Sequence, residues 1–140
     1  LVGELIGRFN IDRDPLPAIA LNSDSSVLTC IGNDFGFDEI FSRQIMALAE
    51  AGDIVIGITT SGASVNVIKG LEAANLKGAR TIALTGIEGL EKDIANLQIT
   101  SSSNNTARIQ EEHLYIIHAW CEILDDRLFG AEDLSIGSTP

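Results

Sequence analysis

Ile54-Val55-Ile56-Gly57-Ile58-Thr59-Thr60-Ser61-Gly62-Ala63-Ser64 is the stretch whose reading decides the fold. Gly52-Asp53 punctuates the chain, and the β-branched run that follows reads as a buried central strand. The run passes without a spacer into hydroxyls and a glycine. Val65, Ile68, Leu71 and Ala74 then recur on one side of a helix that Lys77-Gly78 ends. Thr81-Ile82-Ala83-Leu84-Thr85 is the next strand. Strand, tight loop, helix and strand in that order form the unit from which parallel sheets are built, because parallel neighbours need a crossover.

Downstream, a short polar helix is expected around Glu88 to Asp93, a strand at Leu97-Gln98-Ile99-Thr100, a capping loop at Ser101 to Thr106, and a long helix from about Ala107 to Leu128. Upstream, Ile40, Phe41, Ile45 and Leu48 recur at helical spacing between Phe37 and Ala49. Asn22-Ser23-Asp24-Ser25 reads as a turn or helix cap, Ala18-Ile19-Ala20-Leu21 as a short buried strand, and the prolines at 15 and 17 as helix breakers. Leu1 to Ile6 read as the end of a helix already under way. The expected fold is α/β: a three-layer α/β/α sandwich with a mainly parallel sheet and helices on both faces. One domain should span 1–130, followed by a tail over 131–140. In such sheets ligands bind outside the carboxyl ends of strands, where Ile31-Gly32-Asn33-Asp34 and Thr59 to Ser64 are expected.

The 140 residues suffice for one domain with a real core, and 45 % apolar with 5 % aromatic residues suits a core of Val, Ile, Leu and Ala. No run reaches the ~20 apolar residues of a membrane span, and no signal peptide opens the chain, so a soluble cytoplasmic protein is expected. With 9 basic and 20 acidic residues the net charge of -11 argues against nucleic acid. It also means that a phosphorylated ligand would be held by backbone N–H groups, hydroxyls and helix dipoles rather than by a basic cluster. Cys30 and Cys121 lie in apolar runs without metal-ligand spacing and read as core thiols. Met46, Trp120 and the helix aromatics read as core or interface.

Four hydroxyls and a glycine opening a helix can form an anion cradle. Gly62 permits close backbone approach, Ser64 can cap the helix, and the first-turn N–H groups point toward a phosphate. An ordinary Ser/Thr-rich capping turn has the same composition, and the loop alone does not separate the two readings. It carries neither the lysine of a P-loop nor a G-x-G-x-x-G spacing, so no nucleotide cofactor is expected.

Three further motifs occur in order: Glu4-Leu5-Ile6-Gly7-Arg8, Gly32-Asn33-Asp34-Phe35-Gly36-Phe37 and Arg108-Ile109-Gln110-Glu111. Together with the hydroxyl loop they resemble the phosphoheptose isomerases, a family of sugar-phosphate isomerase-type (SIS) domains. The resemblance extends over nearly the whole chain. It places Thr59, Ser61 and Ser64 on the hydroxyl positions of a Ser-x-Ser-Gly-x-Ser phosphate loop. Thr59 replaces the usual first Ser and Ala63 stands where Asn is frequent. Thr60, Asn33, Asp34 and Gln110 join the substrate-binding set. By the same resemblance Glu4 is the base, and His118, eight residues beyond Gln110, is the acid.

The chemistry accords with those residue types: an enediol mechanism needs one carboxylate to move a proton between adjacent carbons and a second group, titrating near neutrality, to move protons at the oxygens. On one helix Gln110 and His118 project about 80° apart at roughly 100° per residue. Without the resemblance, Glu4 reads as a solvated helix residue, His118 as a hydrogen-bonded core histidine and Asn33-Asp34 as a plain turn. His113 stays unassigned.

The resemblance further implies a homotetramer and conversion of sedoheptulose 7-phosphate to D-glycero-D-manno-heptose 7-phosphate for bacterial surface polysaccharide. Some members bind zinc, which makes Glu4, Gln110 and His118 candidate ligands here. It also implies that a first strand, its Gly-Asn-Gly-Gly-Ser turn and a fourth ligand, a histidine, precede Leu1. Two alternatives share the phosphate loop: a non-catalytic SIS protein that binds the replication initiator, and a sugar-phosphate-sensing domain. The initiator-binding branch commonly carries Ser and Asn where this chain has Glu4 and His118, and nothing basic supports a DNA-linked sensor.

Overall fold

The computed structural model describes residues 1–91 and 93–130. The expected tail over 131–140 lies outside the described residues. The chain divides into two compact units, one of Leu21–Glu112 and one of Leu1–Ala20 with the chain from His113 onward.

In the first unit the strands β1 (Ile54–Thr59), β2 (Arg80–Thr85) and β3 (Leu97–Thr100) form a parallel sheet in the order β1-β2-β3. The register pairs Ile54 with Arg80 through Thr59 with Thr85, and Ile82 with Leu97 through Thr85 with Thr100. The parallel α/β fold read from the sequence is therefore present. Among the described strands the central one is β2, in which Thr81, Ala83, Leu84 and Thr85 are all buried. β1 is an edge among the described strands, and its Ile54 and Ile58 are exposed. An apolar run reports a strand's tendency to be covered, not its place in the strand order.

Helix α4 (Val65–Leu76) lies on this sheet, burying Ile68, Leu71, Ala73 and Ala74. Gly57 makes room for it: a Cβ there would stand 2.9 Å from Val67 Cγ1 and 3.1 Å from Leu71 Cδ1. Helix α3 (Ser42–Leu48) packs on α4 at Gly70, where an added Cβ would meet Ile45 and Phe41 at 3.3 Å. Ile45, Ala49, Ala73, Ala74 and Ala79 form the core there, with Leu21, Phe41 and Val55 against it. Small residues on β1 and α4 thus let two helices and a strand approach one another closely.

The expected helix over 37–49 is split: a 3-10 turn at Phe37–Glu39 precedes α3, and Ser42 Oγ donates to the Glu39 carboxylate at 2.5 Å. The cap reading at 22–25 holds, since Asp24 accepts from Val27 N at 3.0 Å and opens α2 (Ser25–Asp34). Asn33 and Asp34 consequently end a helix rather than follow a strand. Residues 18–21 are not a strand; Ile19 is 67 % exposed, and the Leu21 carbonyl accepts from Gln44 Nε2 instead of a ladder partner. The described residues of 88–93 are turn and coil, because Leu90 N is taken by the Gln98 side chain and Glu91 N by Gly62 O. Cys121 is buried as expected, whereas Cys30 is exposed on α2.

The second unit holds the short helix α1 (Val2–Ile6) and most of α5 (Thr106–Leu128). Asn105 starts α5 by accepting from Ala107 N at 3.0 Å and Arg108 N at 3.4 Å. Among the described residues no helix is long and apolar enough to cross a membrane.

Candidate active site

Parallel strands put their carboxyl ends on one side, and the loop after β1 carries the hydroxyls. Thr59, the last residue of β1, is buried, and its Oγ1 lies 2.8 Å from Ser64 Oγ and 3.4 Å from Ser61 Oγ. Ala63 N donates to Ser61 Oγ at 3.2 Å, which folds the loop back on itself. The structure thus gathers Thr59, Ser61 and Ser64 as the sequence suggested. Ser64 occupies the N-cap position of α4, yet its side chain makes no capping bond and turns to Thr59. The hydroxyl was expected to cap the helix; a buried threonine hydroxyl competes for it more effectively.

The seat of this loop was not read from the sequence. Gly62 has φ 73°, and a Cβ there would fall 1.7 Å from the Gly89 carbonyl oxygen. Gly86 is pressed on the Thr60 carbonyl, 2.2 Å from where its Cβ would be. Gln98 reaches from β3 to hold Leu90 N at 3.0 Å. The hydroxyl loop therefore rests on the loop that follows β2. Paired glycines at 86 and 89, directly after a strand, were the available signal. Beyond β3, Ser102 is held to Glu112 of α5 by its N–H and its Oγ, both at 3.0 Å.

Asn33 and Asp34 are exposed, and Asn33 Nδ2 donates to Asp34 Oδ1 at 2.7 Å. The Cys30 thiol lies 3.8 Å from Asp34 Oδ2, a contact within the same helix. Gln110 is exposed in the second turn of α5.

In the other unit, Glu4 is half-buried on α1 and His118 exposed on α5, with the Phe9 ring 5.6 Å from the imidazole at 32°. The buried Cys121 thiol is pushed up in pKa, chiefly by burial, and the Glu4 carboxylate adds to the shift. Among the described residues no ion pair or side-chain hydrogen bond engages the Glu4 carboxylate, the Gln110 amide or the His118 imidazole. They are available to a ligand. His113, in contrast, is buried in the unit's interior. An open groove of about 700 Å³ between α3 and α4, lined by Arg43, Met46, Lys69 and Leu76 among others, shares no residue with any of these groups.

A hydroxyl loop at the carboxyl edge of a parallel sheet defines the class, and residues 1–86 match the family described as the SIS domain. Within that class, the phosphoheptose isomerase of Geotalea daltonii is 54 % identical over 131 residues, which is 93 % of this chain and 68 % of that protein. The phosphoheptose isomerase of Citrifermentans bemidjiense is 55 % identical over 129 residues, 91 % of this chain and 67 % of that protein. A solved phosphoheptose isomerase from Francisella tularensis superposes with TM-score 0.84 at 38 % identity, covering 90 % of this chain and 68 % of that one. The chain belongs to the phosphoheptose isomerase family. It spans about two thirds of the length of these relatives.

Proposed function

We propose that the protein interconverts sedoheptulose 7-phosphate and D-glycero-D-manno-heptose 7-phosphate by proton transfer through an enediol. The observation that supports this reading is that Glu4 on α1 and His118 on α5 belong to one compact unit, in which Phe9, five residues beyond Glu4, lies against the His118 ring. In the mechanism, Glu4 takes the proton from C1 of the ketose while His118 donates one to the C2 carbonyl oxygen, giving the enediol. His118 then takes the proton from the C1 hydroxyl as that carbon becomes the aldehyde, and Glu4 returns its proton to C2. The phosphate is assigned to Thr59, Thr60, Ser61 and Ser64, with N–H groups at the start of α4 supplying further donors. Asn33, Asp34 and Gln110 are assigned to the sugar hydroxyls.

Glu4, Gln110 and His118 offer a carboxylate, an amide oxygen and an imidazole, a donor set suited to zinc. One ion there would supply polarisation of the sugar carbonyl. We further assign the protein to the cytoplasm as a homotetramer. Leu114, Tyr115 and Ile123, all exposed on α5, are apolar surface that such assembly would cover.

The test is incubation of the purified protein with sedoheptulose 7-phosphate in deuterated water, followed by NMR, with and without added zinc. The expected result is aldose phosphate carrying deuterium at C2, lost in Glu4→Gln and His118→Ala. Absence of turnover by folded wild-type protein would refute the assignment and return attention to phosphate sensing or initiator binding.

A further inference from the structure

We propose that Arg13 is a positioning residue for proton transfer, a buried fork that fixes the Glu4 segment to helix α5 through Asp125. The proposal rests on the assignment of Glu4 and His118 made above. Arg13 is 1 % exposed in its side chain, and every arm of its guanidinium is engaged within the same compact unit. Nη2 donates to the Glu4 carbonyl at 2.9 Å, and Nη1 donates to the Leu5 carbonyl at 3.0 Å and that of Asp14 at 3.1 Å. Nε donates to Asp125 Oδ1 at 2.8 Å. The second carboxylate oxygen accepts from Asn10 N at 3.1 Å, and the guanidinium lies 5.4 Å from the centre of the Phe129 ring.

The need for such a fork follows from α1 itself. A helix of 5 residues has almost no internal ladder, and its last carbonyls have no helical partner. The Leu5 carbonyl also accepts from Leu16 N at 2.9 Å, so the contact particular to the fork is the one to the Glu4 carbonyl. Arg13 takes the carbonyl of Glu4 itself and that of the next residue. The other end of the fork, Asp125, lies seven residues beyond His118 on α5, which is two turns and about 20° of offset at roughly 100° per residue. Phe9, inside the same loop, lies against the His118 ring. The segment from Glu4 to Arg13 is thus tied to one stripe of α5 at two places. A buried ion pair adds little net stability over apolar residues of similar volume. What this one supplies is location.

The test separates location from folding. Arg13→Lys retains a charge for Asp125 but, as a single ammonium, cannot reproduce a planar fork over several acceptors. Arg13→Met with Asp125→Leu removes both charges, leaves neither buried and unpaired, and abolishes the tie. Each is compared with wild type and with Glu4→Gln in steady-state turnover of sedoheptulose 7-phosphate, alongside thermal melting. We expect both variants to fold and to lose about 10- to 100-fold in kcat. KM should stay within about twofold, since phosphate binding lies elsewhere.

A folded Arg13→Lys or double variant with wild-type kcat, beside an inactive Glu4→Gln, overturns the clamp and spares the acid–base assignment. A loss confined to KM overturns it likewise. Wild-type turnover by Glu4→Gln overturns the assignment and the clamp together. Should Arg13→Lys not fold, the double variant decides.

Discussion

Replacing Gly62 by alanine separates two costs that the structure keeps distinct. Gly62 (φ 73°) and Gly78 (φ 76°) share almost the same left-handed backbone angle. Alanine at either position meets the Cβ penalty of that region, about 1–2 kcal/mol. At Gly78 the new methyl would find the Ala51 Cβ at 3.3 Å and its Cα at 3.7 Å, contacts that a shift of a few tenths of an ångström relieves. At Gly62 it would fall 1.7 Å from Gly89 O and 2.8 Å from Gly89 C. That is about half of a normal contact distance, and against backbone. Displacing one loop from the other adds about 1–3 kcal/mol, as overpacking does elsewhere. Gly62→Ala should therefore cost about 2–5 kcal/mol in all, against about 1–2 kcal/mol for Gly78→Ala. Urea unfolding with matched m values measures both. Because the displaced backbone carries Ser61 and Ala63, KM for the sugar phosphate should rise in Gly62→Ala alone. Equal destabilisation of the two variants, or an unchanged KM in Gly62→Ala, would refute the claim that the hydroxyl loop is seated on Gly89.

Two other outcomes follow from the same geometry. Ser64→Ala removes the 2.8 Å partner of Thr59 but no helix cap, so it should cost about 0.5–1.5 kcal/mol in urea while raising KM; a shift in stability with KM unchanged would count against phosphate binding by this hydroxyl. Asp125 is held below the ordinary carboxylate range, first by its bond from Arg13. A depressed carboxylate contributes stability above its unfolded pKa, about 3.9, and loses it as pH falls through the folded value. The urea midpoint should accordingly fall more steeply below about pH 4 in wild type than in the Arg13→Met, Asp125→Leu pair, and parallel acid limbs would contradict the assignment.

The legible parts of the sequence were those written locally. The boundaries of α4 and β3 follow from Val65 to Leu76 and from Leu97 to Thr100, because periodicity and a terminating Lys77-Gly78 act within a few residues. The Thr59–Ser64 hydroxyls were legible for the same reason. Misreadings arose where a distant partner decided the outcome. Ala18–Leu21 has a strand's composition but lacks a ladder neighbour among the described strands. Residues near 88 lose their helix to Gln98 and Gly62, contributed from the following strand and the preceding loop. Asn33-Asp34 looked like a turn because Asn and Asp favour turns, although Asp24 had already started the helix that contains them. The candidacy of Glu4 and His118 rests on motif resemblance alone, since no spacing rule links residues that far apart. Arg13 and Asp125, 112 positions apart, left no local mark at all.

The charge balance and the site explain each other. A chain of net charge -11 repels a phosphorylated sugar at long range, and the loop from Thr59 to Ser64 contains no Lys or Arg to offset this. Lys69, one turn into α4, is engaged by Glu39 at 2.6 Å. Recognition must then come from oriented dipoles at contact distance, whose value depends on being already in place. Neutral donors that had to reorganise would return most of their hydrogen-bond energy as ordering cost, whereas fixed ones do not. The buried Thr59, the left-handed Gly62 and the underlying Gly86–Gly89 turn supply that fixity. The proposed proton-transfer end faces the same demand with a five-residue helix, and there the proposed role of the buried Arg13 fork is to supply it. Neither end relies on net charge to place its groups, and for that reason an acidic surface is compatible with an anionic substrate.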